Sequence, residues 1–160
     1  MIFRRHEKRQ APFTFQRVLV PLRGSEVDKD ALRLTATLLR GTDGEASLLH
    51  VIEVPFDRQL DAQDEAAVNR ADEILERAES FLGEYEVRAR TSVVQARAAG
   101  PAIVDDANEL GADLIVMGLP YKMRFGGQWD AGRTVPYVMR NSTAPVWCLR
   151  HETKELAHTP

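Results

Sequence analysis

Four glycines, Gly118, Gly126, Gly127 and Gly132, fall in one stretch together with Lys122, Arg124 and Arg133. Asp130 is the only carboxylate among them. Glycine lets a backbone come within hydrogen-bond distance of an oxyanion, and successive N–H groups form a nest for negative charge. Arginine adds a fork of donors that matches phosphate. Arg23, directly after the first apolar run, is a further cation of the same kind. Such a set suits a phosphorylated or other anionic ligand. A second reading has Arg23 filling the crevice while a loop bearing Tyr121, Phe125 and Trp129 packs over it. Those aromatics either stack on a base or anchor the loop. Catalysis lacks its parts, so no catalytic residue is assigned. Ser25 has no histidine near it in sequence, the loop holds no carboxylate pair, and no Walker-type lysine loop occurs. The single cysteine, Cys148, and four scattered histidines exclude a disulfide framework and argue against a bound metal. His50, in the middle of an apolar run, reads as a hydrogen-bonded structural residue, and Cys148 as inert packing.

These residues need elements to position them. Val18–Leu22 is a short β-branched run that predicts a buried strand ending at Arg23–Gly24–Ser25. Ser25, with Asp28 three positions on, predicts a capped helix burying Ala31, Leu34, Thr35 and Leu38, which stops near Gly41. Ala46–Val54 predicts a second strand. Ala67, Val68, Ala71, Ile74, Leu75, Ala78, Phe81 and Leu82 form one apolar stripe, the strongest helical signal in the chain. The acidic outer face of that helix reads as solvated. Glu86–Ala96 predicts a strand with Arg88 and Arg90 alternating outward. Pro101 is expected at the first position of the next helix, and Gly111 at its end. Ala112–Gly118 predicts a fourth strand, followed by a loop over Leu119–Ala131. A short helix is expected from Thr134 to Arg140 with Asn141 as its stop, then a last strand over Ala144–Arg150. Strands and helices in alternation imply α/β architecture: a doubly wound parallel sheet of five strands with four helices on two faces. Ligands bind such sheets outside the carboxyl ends of the strands. That places a site at Pro21–Ser25, at Val51–Glu53 and in the loop after Gly118.

With 160 residues, 44% of them hydrophobic and 28% charged, the chain suits one soluble domain with a real core. Residues 1–14 read as a disordered basic leader, 15–150 as the folded domain and 151–160 as a flexible tail. Met1–Arg17 carries Arg4, Arg5, Lys8, Arg9 and Arg17 against Glu7, so the remainder is more acidic than the overall charge of −3. That balance argues against nucleic acid as a partner. No run approaches the ~20 apolar residues of a membrane span. With one cysteine and no secretory signal, a cytoplasmic location is expected.

The segments VLVPLRGSE, LLHVIEV, LGADLIVMG and GRTVPYVMRNSTAPVWCLR, taken as a set, resemble the universal stress protein family over about Phe15–Arg150. The resemblance implies a sheet order of 3-2-1-4-5 and a regulatory protein responding to stress. Many members bind ATP and others do not; dimers often pair through the last strand. The nucleotide-binding members carry a G-x-x-G-x9-G-[ST] loop. Carried over, its first glycine is Gly118, its second position falls on Tyr121, its third is best matched by Gly132, and its hydroxyl by Thr134 after Arg133. Arg23 stands where the family usually has an aspartate. The implied nucleotide site, for ATP or AMP, then comprises Pro21, Leu22, Arg23, Val51, Met117, Gly118, Tyr121, Arg124, Gly126, Gly127, Gly132, Arg133 and Thr134. The alternative is a nucleotide-independent interaction module using the loop and last strand, with a regulatory protein as partner. Val146, Trp147, Cys148 and Leu149 should form an apolar edge strand, which two-fold pairing into a homodimer would cover.

Overall fold

A computed structural model describes residues 11–123 and 129–152. The elements in chain order are β1 (Arg17–Leu22), α1 (Val27–Leu39), β2 (Glu45–Glu53), α2 (Glu65–Glu84), β3 (Arg88–Ala96), α3 (Ala99–Leu110), β4 (Leu114–Met123), β5 (Trp129–Asp130), α4 (Thr134–Asn141) and β6 (Val146–Glu152). The parallel sheet runs β3-β2-β1-β4-β6, the expected 3-2-1-4-5 with β6 as the fifth strand. β5 is an addition, a two-residue strand antiparallel to the end of β4.

Alternation along the central strands divides the core into two layers. Val18, Val20 and Leu22 face α1 and α2, where they meet Ala31, Leu39, Leu75 and Leu82. Leu19 faces the other way with Leu49, Ile115 and Met117, against Ile103 of α3 and Val138 of α4. The apolar stripe of α2 behaves as expected at Ala71, Ile74, Leu75, Ala78 and Leu82, while Val68 stays exposed. On α1 the expected Ala31 and Thr35 are fully buried, joined by Leu32, Ala36 and Leu39, while Leu34 and Leu38 are only partly buried.

The expected loop after Gly118 is mostly strand. β4 continues to Met123 beside β6, pairing Leu119 with Arg150, Pro120 with His151 and Tyr121 with Glu152. Pro120 argues against a strand in the sequence, yet its place in the ladder is harmless. Ile115 donates its N–H towards β6, to the Pro145 carbonyl at 2.9 Å. Alternation puts the nitrogen of Pro120 on the opposite side, where the pairing with β1 has ended at Ile115. Two ends of α3 and α4 also differ from expectation. Pro101 is the third residue of α3, where the missing N–H is still one that the helix would not use. α4 runs on through Asn141, and its cap, Ser142, is extended.

Candidate functional site

β1 and β4 are paired only at Val18–Leu114 and Leu19–Ile115. Beyond that point they part, and a crevice of about 1060 Å³ opens at the carboxyl ends of the strands. This is where strand order reverses, and where such sheets receive ligands. Its walls come from every segment expected to form it. β1 brings Pro21 and Leu22, the loop after it Arg23, β2 brings Val51, and β4 brings Met117 and Gly118. The start of α4 brings Gly132, Arg133 and Thr134. Tyr121 lies in β4 opposite Glu152. Arg124, Gly126 and Gly127 lie outside the described residues.

The loop between β1 and α1 is built around a carboxylate. Asp28 Oδ2 accepts the backbone N–H groups of Arg23 at 3.0 Å, Gly24 at 2.7 Å and Ser25 at 3.2 Å. Three successive donors converge because Gly24 adopts a φ of +81°. The expected cap is therefore reversed: the Ser25 side chain caps nothing here, and Asp28 reaches back to the chain before the helix. Asp28 is only 8% exposed. Burial raises its pKa above the ordinary aspartate range, opposed by the three N–H bonds and the nearby Arg23 charge.

Gly118 lines the crevice, but its need for glycine has another cause. A Cβ there would lie 2.2 Å from the Val27 carbonyl oxygen. The missing side chain lets the first turn of α1 rest on β4, and so sets where Asp28 stands.

Arg97 and Tyr137 line the crevice without having been singled out from the sequence, whereas Glu53 was expected there and His50 was expected only as a structural residue. His50, in β2, places Nδ1 2.9 Å from the Leu22 carbonyl. A carbonyl only accepts, so Nδ1 is the donor of this bond, and in the tautomer with the proton there Nε2 is an acceptor. The expected structural bond is present, on a half-buried ring that also lines the crevice. Glu53, at the end of β2, accepts the Ala99 N–H at 2.8 Å and so caps α3. Arg97 hydrogen-bonds the Val54 carbonyl at 3.2 Å and also the Pro55 carbonyl. Its guanidinium lies 5.4 Å from the centre of the Phe56 ring, which is 87% exposed. Tyr137 of α4 packs where a Cβ on Gly100 would stand. The signal for this wall was available: β3 also ends here, at Ala96, by the same carboxyl-end rule.

Chemically, the crevice combines an apolar floor, acceptors at Asp28 and His50, and arginines at Arg23, Arg97 and Arg133. Among the described residues no group of three or more His, Cys, Asp or Glu side chains could hold a metal ion. Cys148 lies on β6, half-buried against the α3 and α4 layer, and burial pushes its thiol up.

The sequence model described as the universal stress protein family matches residues 14–150. A universal stress protein of Methanocaldococcus jannaschii is 24% identical over 147 residues, covering 88% of this chain and 85% of the relative. The solved universal stress protein from Archaeoglobus fulgidus in complex with dAMP superposes with a TM-score of 0.65 at 21% identity, over 85% of this chain and 98% of that one. A universal stress protein solved in complex with cAMP gives 0.61 at 20% identity, over 86% and 98%.

Proposed function

This chain belongs to the universal stress protein family, and from that premise we propose that it is a non-catalytic regulatory protein that binds an adenosine nucleotide in the crevice. The carrying observation is the crevice itself, about 1060 Å³ between the parted ends of β1 and β4. Its size suits a nucleotide, and its chemistry is divided in the way a nucleotide is. Apolar walls at Val51, Met117 and Ile103 suit a base, and Arg23 and Arg133 suit phosphates. The related structures with dAMP and cAMP support the same class of ligand, here ATP or AMP.

α4 supplies the natural place for phosphate. Its N-cap, Arg133, makes no side-chain capping bond. Helix N-terminal N–H groups and the helix dipole favour an anion there. Titration calorimetry with ATP and AMP tests the reading. Binding at micromolar to low millimolar concentration supports it. Absence of heat, together with an unchanged melting temperature in millimolar nucleotide, turns the balance to the nucleotide-independent interaction module.

We further assign this protein to the cytoplasm, as a homodimer acting on a regulatory protein partner. Among the described residues β6 pairs only with β4, which leaves its outer edge for a second copy. Light scattering at micromolar concentration checks this, and a monomer mass refutes it. No helix of the described residues is long and apolar enough to cross a membrane.

A further inference from the structure

Arg23 removes the acceptor that the family's usual aspartate would provide at that position, since arginine has donors only. The crevice nevertheless holds a carboxylate from another position. Asp28 lines it and is nine-tenths buried. All three hydrogen bonds made by Asp28 fall on one oxygen, Oδ2. No buried side-chain oxygen or nitrogen among the described residues lacks a partner. Oδ1, which takes no hydrogen bond, is therefore not sealed from solvent, and it belongs to a residue that lines the crevice. His50 lines the crevice from the neighbouring strand, and with its proton on Nδ1 it offers Nε2 as a second acceptor.

We infer that Asp28, assisted by His50, is the specificity-determining acceptor of the crevice, taking a hydrogen bond through Oδ1 from a neutral donor group of a nucleoside. The inference rests on the nucleotide reading above. Its physical basis is the fixed geometry of the carboxylate. Three N–H groups hold Oδ2, so Oδ1 cannot rotate away, and its lone pairs are aimed before any ligand arrives. A buried acceptor left unpaired is costly, so ligands lacking the matching donor are rejected. The donors that a nucleoside offers are sugar hydroxyls and base amines. A bare phosphate chain offers neither, and a carboxylate opposite it is repulsive. The crevice thus discriminates for the nucleoside at Asp28 and for the anion at its arginines.

The experiment uses the full-length protein and four probes: adenosine, 2′,3′-dideoxyadenosine, purine riboside and inorganic tripolyphosphate. Asp28→Asn keeps an oxygen for the three N–H groups and turns an amine towards the crevice, so an acceptor becomes a donor. Asp28→Ser keeps a capping oxygen for the loop and withdraws from the crevice. Thermal melting establishes that each variant is folded. The expected result is that adenosine binds Asp28→Asn about tenfold more weakly than wild type, as suits loss of a hydrogen bond to a charged group. Tripolyphosphate affinity should hold or rise. Dideoxyadenosine or purine riboside should bind wild type about tenfold more weakly than adenosine, and that difference should vanish in both variants. Adenosine binding to Asp28→Asn within about twofold of wild type overturns the inference. So does a wild type that binds all three nucleosides equally, a result that needs no variant. Uptake of tripolyphosphate without adenosine overturns it while leaving an anion site. A wild type that binds no nucleoside and no tripolyphosphate removes the nucleotide reading as well.

Discussion

Three helices begin at the crevice, and they begin differently. α1 has its preceding N–H groups filled by Asp28, and α3 has its first N–H filled by Glu53. α4 has no side-chain cap at Arg133. Even α2, which starts away from the crevice, is capped by Asp64 accepting from Ala67 at 3.0 Å. The protein supplies its own carboxylate wherever a helix start is structural. At α4 it supplies glycine, arginine and threonine instead, the residue types that welcome negative charge from outside. The contrast divides the roles by position: at α1 loss of the carboxylate costs stability as well as nucleoside discrimination, while substitution at α4 costs ligand alone.

The harshest test is on the α1 side. Gly118→Ala drives a methyl group into the Val27 carbonyl, and backbone cannot move aside as a side chain can. The expected loss is about 3 kcal/mol or more, read by urea denaturation or as insoluble expression. Asp28→Ala should follow, at about 2 kcal/mol, because three N–H groups lose their charged acceptor. Thr134→Ala and Arg133→Ala should leave stability within about 0.5 kcal/mol of wild type. Arg133→Ala should also weaken ATP about tenfold in calorimetry, with adenosine unaffected. A large stability loss at Arg133, or none at Asp28, breaks the contrast.

The smallest expected effect is on pH dependence. Glu45 is bonded in two places by Arg90, at 2.7 and 2.8 Å, and that bonding holds its carboxyl below the ordinary glutamate range. Its contribution is present above the ordinary range and is lost as pH falls through the depressed value. Asp28 has the opposite sign, since burial raises it. Its contribution is complete below the ordinary aspartate range and is lost as pH rises through the elevated value. Denaturation curves from pH 3 to 7, about the span of carboxylate titration, should therefore separate the two. Glu45→Gln should remove part of the acid loss. Asp28→Asn should compare worst with wild type at the acid end of the range, provided both remain folded.

Much of the fold was legible because it depends on local pattern. The apolar runs at Val18–Leu22 and Leu114–Met117, and the stripe from Ala71 to Leu82, are read from period alone. The position of the crevice followed from the carboxyl-end rule, which needs only the element order. What stayed hidden depends on distant partners. Glu53 and Ala99 are 46 residues apart, so nothing local announces that cap. The extension of β4 through Pro120 depends on which side of the strand β1 leaves open. Asp28 was visible as a capping residue, but its direction was not. Ser25 and Asp28 fit the same motif, and only the +81° turn at Gly24 decides which of them does the capping.

That open side of β4 also sets how the sheet breathes. Among the described residues, β4 from Val116 to Tyr121 has β6 as its only ladder neighbour. Ile115 is held on both sides, by β1 and by β6, and Leu114 before it pairs with β1. Amide hydrogens in the outer ribbon should exchange with solvent through local opening, whereas those of Leu114 and Ile115 should wait for global unfolding. The ribbon adjoins the crevice through Met117, Gly118 and Pro120. A ligand seated there would rest on the part of the sheet that costs least to open, and its arrival would be registered as slower exchange along β4 and β6, the strand that ends the sheet.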